Sequence, residues 1–157
     1  MGRPDVQVVW FKRDLRVRDH AALMAAVETG APVLPLYVFE PSLLTHPHTS
    51  PRHVELALDG ITDLRESLTA LGAPLVVRVG EVIDVLENLS THIDLAAVHS
   101  HEEFGILATW ERDKAVAAWC RARSPHRFHC AGPCRYRRSR CIRCSSRFSG
   151  SSGCRRG

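Results

Sequence analysis

VVWFKRDLRVRDHAAL, from Val8 to Leu23, joins three kinds of sequence in one short string. Its first residues complete a β-branched and aromatic run, Val6 to Phe11 (VQVVWF). That run ends in the charged cluster Lys12 to Arg18, as a buried strand ends in a loop. Asp19 then offers a cap for a helix from His20 to Thr29. Within that helix Leu23, Ala26 and Val27 share one face, and Gly30 supplies the stop.

Outward from this string the same alternation repeats. Val33 to Phe39 (VLPLYVF) is a second apolar strand, in which Pro35 removes one ladder donor and favours a bulge or an edge-facing N–H. Glu40 to Ser50, with its prolines, reads as a loop crossing to a long amphipathic helix from Pro51 to Leu71. Val54, Leu58, Ile61, Leu64 and Leu68 recur there at helical spacing, and Gly72 closes it. Pro74 to Val79 gives a third strand, Glu81 to Leu89 a short helix, and Leu95 to His99 a fourth strand. A last helix, Ile106 to Ala122, presents Leu107, Trp110, Val116 and Trp119.

Strand and helix alternate four times, and short right-handed crossovers can satisfy that order only in a parallel sheet covered on both faces. The expectation is an α/β, doubly wound, Rossmann-like domain over residues 5–122. In such sheets ligands sit beyond the carboxyl ends of the strands, near the point where strand order reverses. The loops to watch are therefore Lys12 to Asp19, Phe39 to Ser50, Gly80 to Glu81 and Ser100 to Gly105.

Composition divides the chain. Its 157 residues suit one domain, and the net charge of +4 is an average of two opposites. Residues 1–122 hold 11 Lys and Arg against all 17 Asp and Glu, a net of −6. Residues 123–157 hold 10 Arg and no acid, a net of +10, with five of the six cysteines. No apolar run approaches the roughly 20 residues needed to span a bilayer, and the N-terminus lacks the features of a signal peptide. The expectation is a cytoplasmic, soluble protein with no membrane partner.

Three separated segments resemble the DNA photolyase and cryptochrome family. One is the opening string, with Trp10, Phe11, Arg13, Asp14, Leu15, Arg16 and Asp19 in place. The others are APVLPLYVFEP (Ala31 to Pro41) and HSHEEFGILATWERDKAVAAWCRA (His99 to Ala122), which resembles that family's Glu-rich loop and following Arg-Asp helix. The resemblance implies the family's N-terminal domain, whose pocket takes an accessory light-harvesting chromophore of folate or deazaflavin type. It places Arg13, Asp14 and Arg16 in one loop of that pocket, with Phe39, Glu40, Glu102 and Glu103 completing its wall. An ion-pair network within the Arg13–Arg16 loop is the alternative role for those charges. The sequence departs from the family at Phe104, Ile106 and Leu107, where relatives more often carry small or polar residues.

The resemblance further implies a parent that repairs pyrimidine dimers in DNA under blue light, through an FAD-binding domain absent here. No catalytic residue can be carried over, and none is expected in an antenna site. Glu102 and Glu103 are adjacent in a loop and seldom converge on one substrate atom as an acid/base pair. His46, His48 and His53 are too irregular, among prolines, to argue for a metal. A nucleotide-binding Rossmann-like module without light chemistry is a rival, although no G-x-G-x-x-G follows the first strand.

The tail, Arg123 to Gly157, permits a zinc reading through Cys130, Cys134, Cys141 and Cys144, with arginines for nucleic-acid phosphates. Its richness in Arg, Ser, Cys, Gly and Pro reads better as an out-of-frame translation of GC-rich coding sequence. Too little apolar surface exists to offset roughly 1–2 kcal/mol of backbone entropy per ordered residue. A disordered Arg/Cys-rich tail and an uncovered sheet edge are the expectations.

Overall fold

The computed structural model describes residues 5–103, 105–123 and 127–131, the last five by their backbone. The first strand, β1 (Asp5–Phe11), lies at the centre of a five-stranded sheet. It is followed by α1 (Ala21–Val27), β2 (Val33–Phe39), α2 (Pro41–Leu44), α3 (Pro51–Ala70), β3 (Val76–Val79), α4 (Val82–His92), β4 (Asp94–His101), α5 (Leu107–Ala122) and β5 (Arg127–Ala131). The strands are all parallel in the order β3-β2-β1-β4-β5, so the chain steps one way from β1 to β3 and the other way from β4 to β5. Strand order reverses between β1 and β4.

Alternate residues of β1 feed two separate cores, as the strand period of two requires. Val8 and Trp10 pack with Leu86, Leu89, Val116 and Trp119 of α4 and α5. Val9 and Phe11 pack with Leu23, Ile61, Leu64 and Leu68 of α1 and α3. This is the doubly wound α/β architecture expected, and it explains why β1 reads as an unbroken apolar run.

Several local expectations need correction. The cap of α1 is His20, whose Nδ1 accepts from the Leu23 N–H at 3.0 Å. Asp19 sits at φ 49, outside the extended region that a cap residue adopts, and cannot serve. Of the two alternatives for Pro35 the bulge does not form, since the register of β1 against β2 runs unbroken through its pairing with Val9, and Pro35 stands before the first β2–β3 pairing, where an edge-facing position needs no donor. A short helix, α2, interrupts the loop expected after β2, with a proline at its first turn where the missing N–H costs nothing. Leu58 is about half exposed and Leu107 two-thirds exposed, so neither belongs to the core.

The largest correction concerns the chain beyond Ala122. Instead of leaving an uncovered edge, β4 pairs in parallel with β5, from Ala97↔Arg127 to His101↔Ala131. Main-chain donors and acceptors along β4 give the next extended segment its ladder whatever its side chains, which is why composition misled there. The folded domain therefore reaches at least Ala131. The proposed zinc ligands Cys134, Cys141 and Cys144 lie outside the described residues, as does Phe104. Among the described residues no helix is long and apolar enough to cross a membrane.

Candidate functional site

A cleft of about 340 Å³ opens beyond the carboxyl ends of β1 and β2, beside the reversal point, and draws on three of the four loops singled out from the topology. The fourth is spent on structure: the carboxylate of Glu81 accepts from the backbone N–H and the hydroxyl of Ser42, fixing the start of α2. The cleft has two kinds of wall. One is apolar, formed by Phe39, Leu43, Leu44, Val54 and Ala57. The other is built from charges.

At the centre of the charged wall is Arg112 in α5. Its Nη1 donates to Glu40 Oε1 at 2.8 Å and its Nη2 to Glu103 Oε2 at 2.6 Å, while Nε and Nη2 both reach Asp113 Oδ1. Asp113, fully buried, also takes Lys12 Nζ at 2.6 Å, and Glu103 takes Arg13 Nε at 2.8 Å. Lys12, Arg13 and Arg112 are thereby matched by Glu40, Glu103 and Asp113. The buried indole of Trp10 lies beneath two of the cations, with Arg112 Cζ 4.6 Å and Lys12 Nζ 4.8 Å from its ring centre.

The electrostatics follow from burial and neighbours. Burial raises the Glu40 carboxyl, Arg112 only partly offsets this, and the group ends above the ordinary carboxylate value. For Arg112 burial works against the charge, but Glu40, Asp113 and Glu103 outweigh it and hold the guanidinium protonated. Burial also raises the Tyr37 phenol at the cleft wall. No nucleophile paired with a base is present among these residues, so the wall can orient and hold a ligand but offers no evident bond-breaking chemistry.

Of the seven residues nominated from sequence, Arg13, Phe39, Glu40 and Glu103 line the cleft. Asp14, Arg16 and Glu102 do not. Asp14 turns back toward His20 and His101, Arg16 Nη2 reaches the Asp19 carbonyl at 3.3 Å, and Glu102 sits outside the cleft lining. The expected ion pairing within the Arg13–Arg16 loop is replaced by pairing to other loops. Sequence reasoning missed Lys12, Arg112 and Asp113, although all three stand inside the quoted family segments; their partners are too distant along the chain to reveal them. Ile106, one of the departures from the family pattern, lines the cleft, whereas Leu107 faces solvent.

The comparisons with known proteins bear on this arrangement. A family model described as DNA photolyase matches residues 7–135, past the end of β5. Cryptochrome DASH of Gloeobacter violaceus is 38% identical over 101 residues, 61% of this chain and 20% of the relative. The deoxyribodipyrimidine photo-lyase of Halobacterium salinarum is 33% identical over 120 residues, 71% of this chain and 24% of the relative. Among solved structures, a bacterial class III photolyase from Agrobacterium tumefaciens superposes with a TM-score of 0.71 at 28% identity, covering 85% of this chain and 28% of that one. The chain thus spans about a fifth to a quarter of the length of these curated relatives. With the fold, the segment order and the family match in agreement, the chain belongs to the DNA photolyase family.

Proposed function

We propose that the cleft holds an accessory light-absorbing chromophore, of folate or deazaflavin type, for a photolyase or cryptochrome. The family binds FAD and an antenna chromophore, and the parent activity in this reading is blue-light-driven repair of pyrimidine dimers in DNA. The observation that carries the reading is the pairing of an apolar wall with a charge-balanced wall, buried except at Arg13, at the carboxyl ends of β1 and β2.

The residues present fit such a group. A flat heteroaromatic ring finds Phe39, Leu43, Leu44, Val54 and Ala57 on its apolar side. Arg13, whose side chain is 73% exposed, spends Nε on Glu103, and its terminal nitrogens make no hydrogen bond among the described residues. Those nitrogens are placed to engage carbonyl or anionic groups of the ligand. The bound dye supplies light absorption and passes excitation to a second pigment. The protein's part is to fix the dye and exclude quenching motion, and the Arg112 network ties Glu40, Glu103 and Asp113 of different elements into one wall.

Adding a folate, a deazaflavin or ATP separately to the purified chain tests this. At about a hundredfold excess over Kd a bound ligand stabilises by ~2.7 kcal/mol, a rise in Tm on the order of 10 °C for a domain of this size. The dyes are expected to produce that rise and ATP none. Replacing Arg13 by Ala is expected to weaken dye binding about tenfold or more, the cost of a charge-assisted hydrogen bond. A rise with ATP and none with either dye would instead favour a nucleotide-binding module without light chemistry.

A further inference from the structure

Asp14 leaves the cleft for a second, partly buried cluster at the reversal point. His20 Nε2 lies 2.7 Å and His101 Nδ1 2.9 Å from the same atom, Asp14 Oδ2. The two imidazoles are stacked, with ring centres 4.4 Å apart and planes 30° from parallel, and Phe11 lies 4.7 Å from the His20 ring. The His20 side chain is completely buried. On their outer sides both rings accept from the first turn of α1: His20 Nδ1 from the Leu23 N–H at 3.0 Å, and His101 Nε2 from the Ala22 N–H at 3.4 Å.

Those outer contacts fix the tautomers. A nitrogen that accepts a backbone N–H carries no proton, so in the neutral rings the protons sit on the inner nitrogens and face Asp14. The three inner atoms lie within 4.8 Å of one another, close enough to suggest a shared metal ion. A metal-binding imidazole does the reverse, ligating with its bare nitrogen while the other donates outward, and stacked rings do not aim their lone pairs at one point. The arrangement sets two imidazole nitrogens within ion-pair distance of one carboxylate oxygen, Asp14 Oδ2.

We infer that Asp14, His20 and His101 form a proton-operated latch on the cleft. While the rings are neutral they tie the loop that carries Arg13 and Leu15, through Asp14, to the first turn of α1, and acidification breaks that tie to α1 and re-sets the loop against the end of β4. The loop is one continuous piece: Arg13 and Leu15 line the cleft on either side of Asp14. Leu15 also packs against α3 at Gly60, where even a Cβ would come within 2.8 Å of its Cδ1.

A proton added to His101 goes to Nε2, the nitrogen that accepts the Ala22 N–H. That replaces an accepted N–H by two opposed N–H groups and sets a positive charge against the N–H groups that begin a helix. The charged groups that face His101 are Asp14, which favours the proton, and His20, Arg16 and Lys12, which oppose it. Burial acts first and also opposes it, so the His101 imidazole titrates below the ordinary histidine value. Burial alone would raise Asp14, but the hydrogen bond and charge from His20, then the charge of His101, hold it below the ordinary carboxylate value.

The latch is tested without any chromophore, so its failure and the failure of the binding reading are separable. The 157-residue chain, labelled with 15N, is titrated from pH 8 downward while imidazole and backbone resonances are followed. The expected result is that the amides of Arg13, Leu15, Ala22 and Leu23 shift together with the His101 ring, at one reversible inflection below pH 6.5. In His101→Gln, which keeps one donor toward Asp14 and one acceptor toward Ala22, that inflection loses about half or more of its amplitude at Arg13 and Leu15. Should His101 titrate while Arg13 and Leu15 stay still, or should the variant respond like the parent, the latch is refuted. Stoichiometric binding of added zinc to these two rings at pH 7.5 would also overturn it, making the cluster a metal site.

Discussion

Replacing Arg112 by Met tests whether the charged wall is a locked unit. The substitution keeps most of the side-chain volume and the contact with Trp10 while removing every donor. Its effect on the three carboxylates is unequal. Asp113 keeps Lys12 at 2.6 Å and Glu103 keeps Arg13 at 2.8 Å, but Glu40, 4% exposed, loses the guanidinium that pairs with it at 2.8 Å. Removing one partner of a buried pair costs about 3–5 kcal/mol, because the other charge is left uncompensated. A domain of this size is stable by about 5–15 kcal/mol, so the variant should fold with a sharply lower urea midpoint.

The pH dependence identifies the orphan. Burial already raises the Glu40 carboxyl with Arg112 present, and without it the folded-state value rises further. A carboxyl raised on folding binds more protons in the native state, so its stability is lost as pH climbs through the folded value. The variant is therefore expected to regain part of its deficit between pH 7.5 and pH 5, relative to the parent. Adding Glu40→Gln to Arg112→Met should recover stability at pH 7.5, leaving a net loss of about 1–2 kcal/mol, whereas independent sites would add their losses. Urea unfolding of the four proteins at both pH values measures all of this. A cost below about 1 kcal/mol for Arg112→Met, unchanged by pH and by Glu40→Gln, would refute the locked wall.

Other outcomes follow from the same structure. Leu64→Ala, at a side chain 1% exposed between α3 and the sheet, should cost about 2–5 kcal/mol in urea unfolding, whereas Leu56→Ala on the exposed side should cost little. Burial pushes the Cys120 thiol up to about 12, so peptide mapping after iodoacetamide at pH 8 should find it unmodified in the folded chain and labelled in urea. Depressed values at His101 and Asp14 both mean that the unfolded chain binds more protons. Stability should therefore fall as pH drops below 6.5 and again below 3.8, and Asp14→Asn should flatten the second decline in acid titrations. Truncation after Arg123 strips β4 of its partner strand and should cause aggregation at micromolar concentration by light scattering, while truncation after Ala131 should not.

How much of this could be read from the sequence depends on how far apart the partners lie. The β1 run and the face of α3 from Ile61 to Leu68 are local, and each was legible from spacing alone, whereas α1 ends at Val27 with Glu28 as its cap, before the expected stop at Gly30. The cap of α1 was misassigned because preference favours Asp over His, and what decides the matter is partly remote: His101, which supports the same first turn at Ala22, stands 79 residues away. The wall of the cleft is remote in the same way. Lys12 meets Asp113 across 101 residues and Arg112 meets Glu40 across 72, so the family segments contained these residues without showing that they touch.

The strand β5 failed for a different reason. Composition judges whether a segment can bury enough of its own apolar surface, and by that measure the chain after Ala122 is poor. An edge strand in a parallel sheet is held first by main-chain hydrogen bonds to a neighbour already in place, and β4 runs unpaired on that side until β5 arrives. The family match to residue 135 agrees with the strand rather than with the composition. Strand pairing to Ala131 and family resemblance to residue 135 both continue past Ala122, so the change in composition there does not mark the end of the fold.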